Sequence, residues 1–238
     1  MSSLYHKLFS FSAKKETVST SETSNYSIEA DNKNDEARGD AFKYKTVEYK
    51  DARWATLDDL KSVNSGCFVN LQSSNFDCHD LNEFLKYWVD CDEAILKKMA
   101  LKLKEGTVIN EIVLTDQLTV LLYYVDGLPH FFLKMKKISN EKLVVGHFVV
   151  KQDKTVEFNV WPRDKFSEIF EMLELLEKMK ELEKELLRID RGDQPNSSEE
   201  IGERNRKSQA ITEEVRQLIR QFEELNEYGL IFRYDIFA

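Results

Sequence analysis

Apolar residues in the middle of the chain follow first a strand period and then a helix period. Every second position of one short run is apolar, which predicts a strand with one buried side: Cys67, Val69 and Leu71. Asp77 then suits an N-cap, and a helical apolar face follows it: Leu81, Phe84, Leu85, Trp88 and Val89. A second alternating run at Met99, Leu101 and Leu103 completes a strand, helix and strand. This spacing predicts a βαβ unit with a right-handed crossover.

From Leu118 onward the apolar period stays at two. It predicts four strands, at residues 117–125, 131–137, 142–151 and 155–161. Pairs of turn-forming residues separate them: Asp126-Gly127, Ser139-Asn140 and Gln152-Asp153. Such short connections predict an antiparallel meander, which Pro162 ends.

After Trp161 the composition shifts to Leu, Glu, Lys and Arg, and apolar residues recur at intervals of three and four. Two helices are predicted, separated by residues 191–196, which are rich in helix breakers. Ser197 and Glu200 match a capping box for the second helix, and Gly229 suits its C-cap. The two helices predict an antiparallel hairpin with these candidate helix–helix interface residues on its facing seams: Met179, Leu186, Leu218 and Phe222.

The hairpin leaves two arrangements open. Its seams pack within the chain, on each other and on the sheet, or they pair with another chain. We favour packing within one chain because the connecting turn is short and both seams can meet. A monomer is therefore expected rather than an oligomer.

These patterns divide the chain into four parts. Residues 1–45 are predicted to be a disordered tail, because polar and charged residues dominate and cannot bury enough apolar surface. An α+β domain of a βαβ unit followed by an antiparallel β-meander is expected at 46–162, and the helical hairpin at 163–229. Residues 230–238 are apolar enough for a closing strand or a docked tail.

The motif between the first strand and the last strand of the meander resembles the type 2 F-box-associated domain expanded in nematodes. The resemblance rests on a Cys-x-Val-x-Leu strand, a Ser-x-Phe turn, an acidic helix and a Val-Trp-Pro strand. The motif residues, most of which the resemblance places in the core, are Cys67, Val69, Leu71, Phe76, Leu81, Phe84, Leu85, Trp88, Val160, Trp161 and Pro162. The family's role, recruiting substrates to a ubiquitin ligase, is implied for this recognition half. Residues 1–53 do not resemble an F-box, so binding to the Skp adaptor is not expected.

Composition excludes several classes of protein. The 238 residues carry 34 Lys and Arg against 43 Asp and Glu, a formal charge of -9, which argues against a strongly basic nucleic-acid-binding protein. No apolar run approaches the roughly 18 residues that a membrane span needs. Three cysteines and no recognisable secretory signal favour a reducing compartment, so a cytoplasmic or nuclear location is expected.

Candidate chemistry is sparse. Cys67, Cys78, His79 and Cys91 lack the paired spacing of a zinc site, so structural roles are favoured over metal binding. No glycine-rich phosphate loop and no nucleophile on a sharp glycine turn occur, so neither catalytic residues nor a cofactor are expected. Lysines around strand 99–103 alternate with apolar residues, which predicts a solvated strand face.

The sequence thus predicts a non-enzymatic protein-binding module, a possible ubiquitin-ligase-related adaptor that binds another protein. The alternative is a structural protein that assembles through its helical hairpin. An enzyme would require a site assembled only in three dimensions.

Overall fold

The fold was analysed in a computed structural model. It describes residue 42 and residues 44–64, 66–92, 95–136, 144–191 and 197–226, together with the backbone of Ile231–Arg233. Most of the predicted tail, the Ser139-Asn140 turn, the breaker-rich turn and Gly229 lie outside these residues.

The N-terminal part of the fold consists of three parallel strands and two helices. In chain order these are β1 (Thr46–Tyr49), α1 (Leu57–Lys61), β2 (Cys67–Leu71), α2 (Cys78–Asp90) and β3 (Leu96–Lys102). Asp77 caps α2 as predicted: its carboxylate accepts hydrogen bonds from the N–H groups of His79 and Asp80. The predicted βαβ unit is therefore present as β2, α2 and β3.

The second part of the sheet is the predicted meander. A short helix, α3 (Glu111–Thr115), precedes four antiparallel strands: β4 (Val120–Val125), β5 (Leu128–Lys134), β6 (Val144–Val150) and β7 (Thr155–Pro162). Asp126 and Gly127 link β4 to β5, and both have positive φ angles, 50° and 78°. Two such residues form the tight turn that matches strand twist in a hairpin.

All described strands join one sheet in the order β1-β2-β3-β7-β6-β5-β4-β8. The last strand of the meander, β7, lies antiparallel to β3 and so connects the two parts. At the other edge, β8 (Ile231–Arg233) pairs antiparallel with β4. The α+β class with a βαβ unit followed by a meander is confirmed.

Two long helices follow β7 through a short 3-10 turn at Arg163–Lys165. They are α4 (Ser167–Arg191) and α5 (Ser198–Leu225), and they pack together as the predicted hairpin. The Ser197 hydroxyl accepts a hydrogen bond from the Glu200 N–H and caps α5. The predicted end of this helix was wrong, because α5 ends at Leu225 and Asn226 occupies its C-cap.

Each side of the sheet has its own apolar core. Helices α1, α2 and α3 cover one side, where the largest buried rings belong to Phe84, Trp88, Phe131, Phe148 and Phe158. On the other side, α4 packs over the meander and the end of α5 joins it through Leu218 and Phe222. The hairpin therefore packs on its own sheet, as favoured from the sequence.

Three short elements were not predicted: β1, α1 and α3. Each has only four or five residues, too few to show a period. In addition, Phe42 lies inside the stretch predicted as a tail, yet it is buried and its ring packs against Tyr49 and Trp54. The tail prediction remains a prediction for residues 1–41, which lie outside the described part of the chain.

Candidate functional site

The strand register places two rows of side chains across the side of the sheet that faces the hairpin. One row runs from β1 to β4 through Thr46, Phe68, Lys98, Asn159, His147, Phe132 and Leu121. The next row runs through Glu48, Asn70, Ala100, Glu157, Val149, His130 and Tyr123. Each row begins in solvent at β1 and ends beneath the hairpin.

The meander end of both rows is covered by α4. Leu121 and Phe132 belong to the core that α4 forms with the sheet. Lys134 on β5 reaches the helix, with its Nζ 2.7 Å from a carboxylate oxygen of Glu177 and 5.4 Å from the centre of the Phe170 ring. This half of the sheet is therefore not free to bind another molecule.

The other half, on β1, β2 and β3, is open. Phe68 retains 40% of its surface in solvent, and Lys98, Lys102 and Glu48 are also exposed. Phe68, the second residue of β2, places an aromatic ring among polar and charged side chains on this side of the sheet. A single exposed apolar side chain is common on protein surfaces, so the region is described as a group of residues. We name this region the open sheet surface and define it by six residues: Glu48, Phe68, Asn70, Lys98, Ala100 and Lys102.

The aromatic ring on the open sheet surface lies close to a lysine ammonium group. A register shift between Cys67 and Phe68 leaves Lys97 as the extra residue on β3, and its Nζ lies 5.3 Å from the centre of the Phe68 ring. Such a contact orients both side chains and adds positive charge beside the ring.

Carboxylates on and beside the open sheet surface are already engaged. Oε1 of Glu48 accepts hydrogen bonds from Nδ2 of Asn70 at 3.1 Å and from Nε2 of Gln72 at 3.3 Å. Glu157 pairs with Lys151, with 2.6 Å between Oε1 and Nζ. Hydrogen bonds from Thr155, with a smaller contribution from nearby Lys102, lower the pKa of Asp153. Neither Lys98 nor Lys102 forms an ion pair with another described residue, so the surface presents surplus positive charge in an acidic protein.

Two aromatic contacts mark the border between the covered and the open halves. The Trp161 ring on β7 packs edge-on against Phe166, and Nζ of Lys165 lies 4.3 Å from the centre of the Trp161 ring. Trp161 is half-buried, and Pro162 beside it is exposed. The end of β7 and the 3-10 turn after it therefore place an aromatic ring and a cation together just before the hairpin.

A stacked histidine pair lies at the same border, one strand further in. Nδ1 of His130 and Nε2 of His147 are 2.9 Å apart, and the two rings stack with 5.1 Å between their centres. The Phe132 ring also stacks on His147, with 4.8 Å between their centres. Burial, with a smaller contribution from His130, lowers the pKa of His147 to about 3, and burial also lowers the pKa of His130. Both rings are neutral near pH 7, and one donates its N–H to the other.

The motif residues lie mainly on the opposite side of the sheet from the open surface. Eight of them are buried in the core beneath α2: Cys67, Val69, Leu71, Phe76, Leu81, Phe84, Leu85 and Trp88. Val160 is half-buried against the same core, whereas Trp161 lies on the hairpin side. The motif thus builds the platform and does not itself form the exposed surface.

The four candidate helix–helix residues separate into two groups. Met179, Leu218 and Phe222 are buried in the core between the hairpin and the sheet. Leu186 is only half-buried, because it lies further along α4, beyond the part that packs on the sheet.

The cysteines occupy separate structural positions. Cys67 lies in the core on β2, and the Cys78 thiol at the start of α2 is 3.5 Å from the carbonyl oxygen of Val108. Burial raises the pKa of the Cys67 and Cys91 thiols, which makes both poor nucleophiles at neutral pH. Within the described ranges, no three His, Cys, Asp or Glu residues are grouped as they would be around a metal ion. Nor is any described helix long and apolar enough to cross a bilayer.

Comparison with known proteins identifies the part of the chain that builds this surface. A family model described as F-box associated matches residues 41–100. This is the resemblance that the motif predicted. The F-box-associated segment contains β1, β2, α2 and most of β3, and therefore five of the six residues of the open sheet surface. The match does not include Val160, Trp161 and Pro162, and no curated protein and no solved structure matches the chain.

Sequence reasoning predicted a solvated lysine face on β3 but did not recognise the open sheet surface as a unit. The available signal was Phe68, an aromatic residue at a position facing away from the predicted core side of its strand. What the sequence could not show is that β3 pairs with β7, which places Lys98 beside Asn159.

Proposed function

We propose that this protein is a non-enzymatic protein-binding module and that the open sheet surface is its contact surface. The observation that carries the proposal is an exposed half-sheet that includes Phe68 and lies mostly within the segment that matches the F-box associated family. Aromatic side chains at the centre of a surface patch often contribute most of the binding free energy in protein interfaces.

The packing behind this surface suits a binding platform. Strands β2 and β3 rest on α2 through residues that are almost completely buried: Leu71, Leu85, Trp88, Met99 and Leu101. Side chains on a rigid sheet lose little conformational freedom when a partner binds, which favours affinity.

By resemblance, the module acts as the substrate-recognition part of an F-box protein does, and it is a ligase-related adaptor in the cytoplasm or nucleus. It binds another protein as a monomer, uses no cofactor and does not bind nucleic acid or membrane. Skp-type adaptors are not its direct partner, because residues 1–53 do not resemble the helical F-box module that docks them.

The proposal is tested by site-specific photocrosslinking in an extract of the native cells. Benzoylphenylalanine replaces Phe68 in one variant and Tyr124 in a matched control, which is another exposed aromatic residue on the opposite side of the sheet. We expect a discrete protein adduct at position 68 that is absent at 124 and that excess wild-type protein suppresses, while excess Phe68→Ala protein does not. Equal adducts at both positions, or none at 68, would refute it.

The same adducts test the ligase connection. Ubiquitin-ligase substrates or components identified by mass spectrometry at position 68 would support the adaptor role. Adducts with proteins unrelated to ubiquitin transfer would retain the binding function and remove the ligase connection.

One observation favours the alternative, an assembly protein that oligomerises through the hairpin. The far part of the hairpin exposes Ile201 and leaves Leu186 only half-buried, and Ile219 on α5 is exposed as well. These side chains are scattered along the helices and separated by charged residues, whereas an obligate dimer requires a continuous apolar surface. Binding through the open sheet surface therefore remains the preferred function.

A further inference from the structure

We infer that the partner segment bound by the open sheet surface is acidic, with two carboxylates flanking an apolar side chain. This inference rests on the proposed function and names the chemistry of its partner. It follows from the charges, the spacing and the single exposed aromatic ring of the surface.

The first argument is the charge balance. Lys97, Lys98 and Lys102 project from β3. Against these three cations, Glu157 is paired with Lys151, and Glu48, whose hydrogen-bond donors are neutral amides, keeps one negative charge on β1. The whole chain carries a formal charge of -9, so this positive patch is opposite in sign to the rest of the molecule. A patch of that kind attracts an acidic partner and repels a basic one.

The second argument is the spacing along β3. Lys98, Ala100 and Lys102 share one side of the strand, and Lys98 is adjacent to Phe68 in the register. Two lysines four residues apart on a strand are separated by about 13 Å. An extended segment with carboxylates at positions i and i+4 has the same spacing, and its side chain at i+2 falls over the small Ala100, beside the Phe68 ring.

The third argument concerns the competing anion, single-stranded nucleic acid. Recognition of its bases requires several aromatic rings on which they stack. Among the six residues of the open sheet surface, Phe68 has the one exposed aromatic ring, and the ammonium group of Lys97 already lies close to that ring. An acidic peptide, which requires one apolar contact and two cations, suits the surface better.

The test is selection from a random 12-residue peptide library displayed on phage, with the full-length protein as bait. A Lys98→Glu/Lys102→Glu variant serves for counter-selection. The matched control, Lys184→Glu/Arg188→Glu, makes the same change in net charge at exposed positions on α4. Circular dichroism of all three proteins confirms that each is folded.

We expect the wild type and the α4 control to enrich acidic peptides that contain an apolar residue between two carboxylates. Synthetic versions of these peptides should bind the open-surface variant about tenfold more weakly, because two exposed ion pairs are lost and repulsion replaces them. Lys98→Arg/Lys102→Arg should retain binding, since the positive charge remains. Fluorescence anisotropy measures the affinities.

Enrichment of neutral or basic peptides, or equal enrichment by the open-surface variant, would overturn the inference. So would tighter, lysine-dependent binding of a 20-nucleotide oligothymidine, which would assign the patch to nucleic acid. Carbodiimide crosslinks from Lys98 or Lys102 to carboxylates of residues 29–40 would assign it instead to the chain's own N-terminal segment. If no acidic peptide is enriched, the crosslinking result at position 68 is unaffected. The inference about the partner's charge can therefore fail while the proposed binding function stands.

Discussion

Gly146 on β6 and Trp88 on α2 approach so closely that a side chain at position 146 has no room. A Cβ atom added to Gly146 would lie 2.9 Å from Cη2 of Trp88 and 2.9 Å from two ring atoms of Phe158. The Trp88 and Phe158 rings meet edge-on, with 5.1 Å between their centres. The missing side chain of Gly146 therefore lets the indole of α2 reach the middle of the sheet.

Gly146→Ala should lower the free energy of unfolding by about 1 to 3 kcal/mol, because two buried rings must shift to admit one methyl group. Gly202→Ala is the matched control, since Gly202 lies on α5 and nothing is within 4 Å of its added Cβ. That change should stabilise the helix by about 0.5 to 1 kcal/mol. Urea denaturation of both variants measures the difference, and equal effects would contradict the close packing.

Trp88→Ala should lower the free energy of unfolding by about 3 to 5 kcal/mol, since the completely buried indole leaves a large cavity. Tyr87→Ala, one residue earlier on the exposed side of α2, should cost about 1 kcal/mol or less. Thermal melting compares the two. A Trp88 variant as stable as the wild type would mean that this side of α2 is a binding surface and would weaken the assignment of the core.

The sequence predicted the elements that repeat a period several times. Helix α2 shows its apolar face over more than three turns, and the meander strands alternate between tight turns, so both were recognised. Strand β1 and helix α1 are too short for a period. For α1 a local signal existed: Thr56 and Asp59 form a capping box, each side chain accepting a hydrogen bond from the other residue's N–H.

The open sheet surface was harder to predict than any single strand. Its lysines and Phe68 were visible as residues, but their neighbours depend on β7 lying between β3 and β6. Strand order in a sheet is set by long-range packing, and alternation within a strand carries no information about it. The extent of α4 over the sheet, which decides what stays open, is likewise a property of the folded molecule.

Lowering the pH below about 6.5 should destabilise the protein through His147. Its pKa is near 3 in the folded protein, against 6.5 when exposed, so below pH 6.5 the unfolded state binds a proton that the folded state excludes. The full contribution of His147 to the free energy of unfolding is present above pH 6.5. It falls by at most about 1.4 kcal/mol per pH unit as the pH decreases toward 3.

His147→Leu removes this titration, so its unfolding free energy should depend less steeply on pH between 4 and 6.5 than that of the wild type. Val145→Ala, a change in the same hairpin-side core that removes no titratable group, should keep the wild-type slope. Urea denaturation at a series of pH values measures the slopes. If the His147 and Val145 variants had identical slopes, His130 or the carboxylates would account for the acid sensitivity.

Purified protein should not form a stoichiometric complex with a Skp adaptor. The prediction follows from residues 1–53, which do not resemble the helical F-box module. Gel filtration of the mixture, with a complete F-box protein as positive control, should show two separate peaks. Co-elution in equal amounts would show that this chain docks the adaptor by another element and would make it a ligase receptor in its own right.

The last prediction distinguishes the binding module from the assembly protein through Leu186. Leu186, which the sequence places on the seam of α4, is half-buried, so Leu186→Asp puts a charge at a partly desolvated position and should loosen the far end of the hairpin. The sheet and the core around Met179, Leu218 and Phe222 should stay intact. Both proteins should be monomers by light scattering.

Circular dichroism provides the second measurement, because partial melting of the hairpin lowers the helical signal without changing the molecular mass. Lys184→Asp, at a neighbouring exposed position, controls for the introduction of an aspartate into α4. A wild-type oligomer that becomes a folded monomer in Leu186→Asp but not in Lys184→Asp would reverse the preference. Leu186 would then lie in an interface between chains, and assembly through the hairpin would replace the open sheet surface as the leading function.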